Sequence, residues 1–295
     1  MLRSFVAAFS ILLAAPAIAQ DAKLKVIATF SILGDVVKNV GGERVDVTML
    51  VGPSADAHVY SPSPADAKKL ADAKVVVVNG LGFEGWIERL VKASGSKAPV
   101  VVASKGVKPR AMTGGHGHSH GNDPHAWQSV ANVKVYATNI RDGLIAADPA
   151  GKSSYEANAA AYVTKLEALD KEVRDTISKI PAERRRVITT HDAFAYFKDA
   201  YGLDFIAPQG VSTESEASAK DVARIIAQIR RLKIPAVFVE NVSDPRLLKQ
   251  IADETGAKIG GTLYSDALTD EKGPAPTYID LIRHNIRTLS SALMT

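Results

Sequence analysis

Apolar positions along this chain fall into two kinds of run that alternate. Short β-branched runs at 24–29, 45–51, 75–79 and 100–103 have the length and composition of buried strands. Between them, 31–40 and 64–71 carry apolar residues at helical spacing, with Ser31 and Ser63 where helix N-caps are expected. The second half repeats the alternation. Strands are expected at 187–190, 205–207, 236–240 and 258–260, and helices at 192–201, 218–232, 245–255 and 277–293, with Pro245 marking a helix start. Strands separated by helices imply parallel pairing. The fold expected is α/β, with two lobes, each a parallel sheet flanked by helices.

Between the halves, Tyr155, Ala159, Tyr162, Leu166, Leu169, Val173 and Ile177 recur at steps of three or four, with no Gly or Pro after Gly151 until Pro181. That spacing predicts one helix of roughly 28 residues, about 42 Å long at 1.5 Å per residue. It is read as a rigid connector between lobes, the alternative being an ordinary long helix inside a single domain. The organisation expected is a leader at 1–19, an N-terminal lobe at 20–148, a linker helix at 149–180 and a C-terminal lobe at 181–295.

The leader rests on Arg3, the apolar run 5–15, Pro16 and the small-residue pattern Ala17-Ile18-Ala19, the layout of a secretory signal peptide. The run falls short of the roughly 20 apolar residues a membrane span needs. An exported, soluble protein without stable membrane insertion is expected.

Composition narrows the function. The 295 residues are 46% apolar and 23% charged, which excludes a disordered or collagen-like chain. The net charge of +4 is small and scattered, with Arg184, Arg185 and Arg186 the one basic triplet, so no nucleic-acid partner is expected. There is no cysteine, which removes disulfides, thiolate metal sites, Cys nucleophiles and a lipid-bearing N-terminal Cys.

Histidine placement carries the chemistry. Of seven histidines, His116, His118 and His120 lie in a glycine-rich run at 113–121 whose alternate imidazoles suit a divalent transition metal, weakly held. His58, His125 and His191 each follow a predicted strand or turn, and Asp266 follows the strand at 258–260. In open α/β sheets the ligand crevice lies outside the carboxyl ends of the strands, so two candidates in each half place a site in the cleft between lobes. Three imidazoles and a carboxylate are a donor set suited to tetrahedral Zn(II), although their spacing matches no local finger or protease motif. His284, beside Arg283 and Arg287, is assigned to a solvated face.

Five segments resemble the periplasmic zinc- and manganese-binding components of bacterial ABC importers, the cluster with a rigid backbone helix. They are Thr29-Phe30-Ser31-Ile32-Leu33-Gly34-Asp35, Asp56-Ala57-His58-Val59-Tyr60, Asp123-Pro124-His125-Ala126-Trp127, Thr190-His191-Asp192-Ala193-Phe194-Ala195-Tyr196-Phe197 and Leu263-Tyr264-Ser265-Asp266-Ala267-Leu268. The resemblance covers the whole mature chain in order. It implies metal ligands at His58, His125, His191 and Asp266, a periplasmic location, an ABC transporter permease as partner and a monomeric carrier. A periplasmic zinc metallochaperone is a candidate second partner. The short histidine run resembles the loop of zinc members, and together with the missing cysteine is similar to the AztC type. In manganese members the position matching His191 is usually Glu, so the resemblance implies Zn(II) as cargo, with manganese as the alternative. A secreted zinc hydrolase would keep an open coordination position for water, and no His-Glu-x-x-His sequence occurs. A metal-decorated adhesin or protein-binding module is the remaining alternative.

Overall fold

The computed structural model describes residues 22–112 and 121–294. The expected leader at 1–19 and the loop histidines His116, His118 and His120 lie outside the described residues.

In chain order the first half contains β1 (Leu24–Ala28), α1 (Ser31–Gly41), β2 (Val45–Met49), α2 (Pro64–Asp72), β3 (Val75–Val78), α3 (Ile87–Ser94) and β4 (Val100–Val102). The strands form one parallel sheet in the order β2-β1-β3-β4. All four valines of β3 are buried, the continuous apolar run of a strand covered on both faces. Two helices follow, α4 (Val130–Ala147) and α5 (Lys152–Ser178). The second half is β5 (Arg186–Ile188), α6 (Ala195–Tyr201), β6 (Asp204–Ile206), α7 (Ala219–Leu232), β7 (Ala236–Glu240), α8 (Arg246–Thr255), β8 (Lys258–Leu263) and α9 (Tyr278–Leu293). Its parallel sheet runs β6-β5-β7-β8, the same order of connection as the first. No helix among the described residues is long and apolar enough to cross a membrane.

The α5 helix buries Tyr155, Ala159, Tyr162, Leu166, Leu169, Val173 and Ile177, the seven positions that its spacing singled out. It packs against α1 and α4 from the first half and α9 from the second. One continuous core runs through both halves, from Val76 and Trp127 past Leu166 to Phe194, Tyr278 and Leu281. A smaller core of Ile188, Ile225, Ile229, Val237, Leu248 and Ile251 lies between the second sheet and the helices α7 and α8.

Local chemistry refines the expectations. Ser63 caps α2 in a reciprocal box: its Oγ accepts the Asp66 N–H and the Asp66 carboxylate accepts the Ser63 N–H. Ser31 is not a cap. It is the first residue of α1, with Phe30 at the cap position, and its Oγ instead accepts the Leu268 N–H at 2.9 Å, tying α1 to the second half. The helix expected at 192–201 begins at Ala195, because Ala193 N–H bonds back to the His191 carbonyl in a turn. His284 is half-buried rather than solvated: Nε2 lies 3.0 Å from the Thr262 carbonyl and the ring stands edge-on to Tyr264. The helices α3 and α4 lie outside the elements expected from the sequence.

Two outcomes follow from this packing. Leu166→Ala leaves a cavity in the shared core and is expected to lower stability by about 2–5 kcal/mol, read as an earlier thermal midpoint for the whole chain. Asp35, on α1, accepts the Tyr278 N–H at the start of α9 at 2.9 Å, and burial pushes its carboxyl up to about 6. A carboxyl raised in the fold binds more protons than in the unfolded chain between about 4 and 6, so its contribution to stability falls as pH rises through that window. Asp35→Asn should flatten this slope in denaturation measured from pH 4 to 6.

Candidate metal site

Four side chains converge at the carboxyl ends of the strands. His58 lies in the connection from β2 to α2, and His125 immediately precedes a short turn of helix, Ala126–Gln128, that leads into α4. His191 comes three residues after β5, and Asp266 three after β8. Their donor atoms all lie within 4.8 Å of one another. His58 Nε2 is 3.2 Å from His125 Nε2 and 3.3 Å from Asp266 Oδ2. His191 Nε2 is 3.1 Å from Asp266 Oδ2, and His125 Nε2 is 3.6 Å from Asp266 Oδ1. Ligand bonds of about 2.0–2.2 Å around a tetrahedral ion put donor atoms about 3.3–3.6 Å apart, so these separations suit one divalent cation.

His125, His191 and Asp266 lie at 0% exposure, and His58 is half-buried. Distance pairs Asp266 with the imidazoles, but both its oxygens and His191 Nε2 are buried without an aligned hydrogen-bond partner among the described residues. Buried groups of this kind are ordinarily satisfied, and a cation bound between them would satisfy them. Without one, a proton does the work. Burial opposes charge on His191, but the Glu240 and Asp266 carboxylates outweigh it and hold the imidazole well above its usual range. Burial likewise opposes ionisation of Asp266, yet His191 and His125 hold it well below the carboxylate range.

Two further carboxylates set the rings. Asp123 Oδ1 accepts the His125 backbone N–H at 2.9 Å and lies 2.7 Å from its Nδ1. Glu240 divides its oxygens: Oε1 accepts the Thr190 and His191 backbone N–H groups at 2.7 and 3.0 Å, and Oε2 lies 2.7 Å from His191 Nδ1. Each carboxylate thus faces the nitrogen that points away from the site, which leaves Nε2 free to act as a donor. Asn79, at the end of β3, donates to the Pro124 carbonyl at 2.9 Å and so fixes the turn that carries His125.

The walls are aromatic. Phe83 stands edge-on to His58 at 4.8 Å and to Trp127 at 4.9 Å, and Trp127 packs against His125 at 5.2 Å. Trp127 Nε1 and Gln128 Nε2 both donate to the Ser265 carbonyl, at 2.9 and 2.7 Å, holding the Asp266 segment against the first half.

The structure brings together His58, His125, His191 and Asp266. The residues sequence reasoning passed over are Asp123, Glu240, Asp56 and Thr213. A repeated Asp-x-His, at Asp56–His58 and Asp123–His125, was the available signal for two of them. In both, the Asp carboxylate accepts the backbone N–H of the His two residues later.

The model for the family described as zinc-uptake complex component A, periplasmic, matches residues 26–292. The chain is 38% identical over 270 residues to the manganese-binding lipoprotein MntA of Halalkalibacterium halodurans, covering 92% of this chain and 88% of that protein. It is 37% identical to the iron-binding protein YfeA of Yersinia pestis, covering 97% and 93%. Among solved structures it is similar to the periplasmic zinc binding protein TroA of Treponema pallidum, with a TM-score of 0.87 and 32% identity over 92% of this chain and 99% of that one. A manganese-bound periplasmic metal binding protein from Candidatus Liberibacter asiaticus superposes with a TM-score of 0.82 at 32% identity, covering 92% and 100%.

The orienting carboxylate has a sharp test. In Glu240→Gln the amide oxygen keeps the two backbone N–H groups, so its NH₂ faces His191 Nδ1 and drives the imidazole proton onto Nε2, where it blocks a metal. Metal affinity is expected to fall about 10- to 100-fold in competition titrations, although the substitution is isosteric. Proton release is the second check. An ordinary imidazole with a pKa near 6.5 is only about one-tenth protonated at pH 7.5, so three would release about 0.3 proton per metal. Because His191 is held well above that range, calorimetry in buffers of different ionisation enthalpy should give more than this at pH 7.5.

Proposed function

The chain belongs to the periplasmic zinc-uptake complex component A family, and we propose that it captures Zn(II) at His58, His125, His191 and Asp266 for delivery to an ABC permease. The observation that carries this is the convergence of three imidazoles and one carboxylate, buried and at metal-ligand spacing. Family membership supports an importer role, a periplasmic location and a binding rather than an enzymatic activity. A hydrolase reading has less support, because Asp266 takes the position an activated water would need.

Ligand chemistry supports zinc over manganese. Imidazole nitrogen suits Zn(II), whereas hard oxygen donors suit Mn(II), and this site has three nitrogens to one oxygen. The relatives are named for manganese, iron and zinc, and the donor set is what favours zinc among them. Manganese is the second reading, favoured by the name of the 38% identical relative.

In this account the ion displaces the proton favoured on His191. The histidine run His116, His118 and His120 is proposed as a weaker zinc site, since glycine-flanked ligands must be ordered on binding. A periplasmic zinc metallochaperone is the proposed donor to the cleft, and the carrier is proposed to act as a monomer.

Metal analysis of untagged protein from periplasmic extracts should find one tightly held zinc per chain; manganese in its place would overturn the choice of cargo. His191→Glu should narrow the preference for Zn(II) over Mn(II) in paired competition titrations, and His191→Ala should weaken zinc by at least about 10-fold. Removal of residues 113–120 should abolish weak zinc binding in calorimetry while leaving the tight event intact.

A further inference from the structure

The four donors are not held equally. His125 and His191 each have a carboxylate facing Nδ1, and the Asp266 segment is held by Trp127, Gln128 and Ser31. His58 lies in neither strand nor helix, and no carboxylate faces its outer nitrogen among the described residues. What fixes it is its backbone: the His58 N–H donates to Asp56 Oδ1 at 2.8 Å. The other oxygen of that carboxylate, Oδ2, accepts the Thr213 hydroxyl at 2.6 Å, from the opposite half of the molecule.

Thr213 sits in the connection from β6 to α7, which is itself tied to the His191 segment. Asp192 N–H donates to the Gly210 carbonyl at 3.1 Å and Gln209 N–H to the Thr190 carbonyl at 3.2 Å. On the other side of the mouth, Ser54 N–H donates to the Leu268 carbonyl at 2.8 Å, joining the His58 loop to the Asp266 segment. The His58 loop is therefore held at both of its neighbours in the second half, once through a side-chain carboxylate and once through backbone.

We propose that Asp56 and Thr213 form a clasp between the lobes that positions His58, so that retention of the metal depends on this one hydrogen bond although neither residue touches the ion. This rests on the proposed site but not on the choice of zinc over manganese. With the clasp formed, the Asp56 carboxylate is oriented and the His58 imidazole is offered to the ion at little ordering cost. Without it, the turn at 56–58 loses its only tie to the second half through Asp56, and the ligand least held by its surroundings is the first to let go. The effect belongs mainly to dissociation, since the ion must leave past the half-buried His58 while the other donors stay fixed.

The test is the rate of zinc loss from zinc-loaded protein mixed with excess chelator. Thr213→Val keeps the shape of the side chain and removes the hydroxyl, and should speed loss about 10- to 100-fold, while Thr213→Ser restores the slow rate. In an Asp56→Ala background Thr213→Val should add nothing, because the two act through one bond. The thermal midpoint of the metal-free protein should not move with Thr213→Val. A wild-type rate in Thr213→Val, an equally fast Thr213→Ser, or a full additional effect over Asp56→Ala would overturn the clasp. His58→Ala separates the premise: tight binding that survives it would overturn the site itself, whereas its loss beside an unchanged Thr213→Val would overturn the clasp alone.

Discussion

A carboxylate buried at 0% exposure among three imidazoles is the constraint on which the rest of the structure depends. Ionised groups removed from water are expensive unless paired. In the metal-free protein the Glu240 carboxylate at Nδ1 and the Asp266 carboxylate at Nε2 favour the charged form of His191 and hold its imidazole well above the usual range. A divalent cation brings more charge to the same place. Asp266 would supply one negative charge against the two of such an ion, and Asp123 and Glu240, both nearly fully buried behind the rings, add two further carboxylates close by. On the proposed site the outer carboxylates would serve twice, fixing which nitrogen of each ring faces inward and offsetting an ion in a setting walled by Phe83 and Trp127.

Holding four donors within 4.8 Å of one another across two sheets requires that the halves keep their relation. The frame that does so is α5 with the core continuous through both halves. It is reinforced by specific ties, notably Ser31 to Leu268, Asp35 to Tyr278 and Trp127 to Ser265. A close-packed seam of this kind resists hinge bending, which concentrates any opening in the loops that carry the donors. The smaller core beneath α7 and α8 is separate from that seam, and the chain around Thr213 leads into α7, which packs on it.

Much of this was legible in the sequence, for physical reasons. The strands were readable because buried parallel strands are continuous β-branched runs, as in Val75–Val78. The long helix was readable because its buried face repeats without a breaker from Tyr155 to Ile177. The helix α4 was not expected, since Val130, Val133, Val135, Thr138 and Ile140 are β-branched and Gly143 interrupts it. Its conformation is imposed by packing, with Val101 lying directly against Gly143. The proposed ligands stood out as histidines after strand ends, helped by resemblance to known metal carriers. Their supporting carboxylates did not, because Glu240 ends an apolar strand and becomes a partner of His191 only when β5 and β7 pair. Thr213 could not be linked to Asp56 by any pattern, as they are 157 positions apart.

The proposed site of three imidazoles and one carboxylate is tested most directly by X-ray absorption at the zinc edge of the loaded protein. It predicts four light-atom neighbours at about 2.0–2.1 Å, with the outer-shell scattering of three imidazoles. A six-coordinate shell of mainly oxygen at longer distance, with scattering from one imidazole or none, would contradict it.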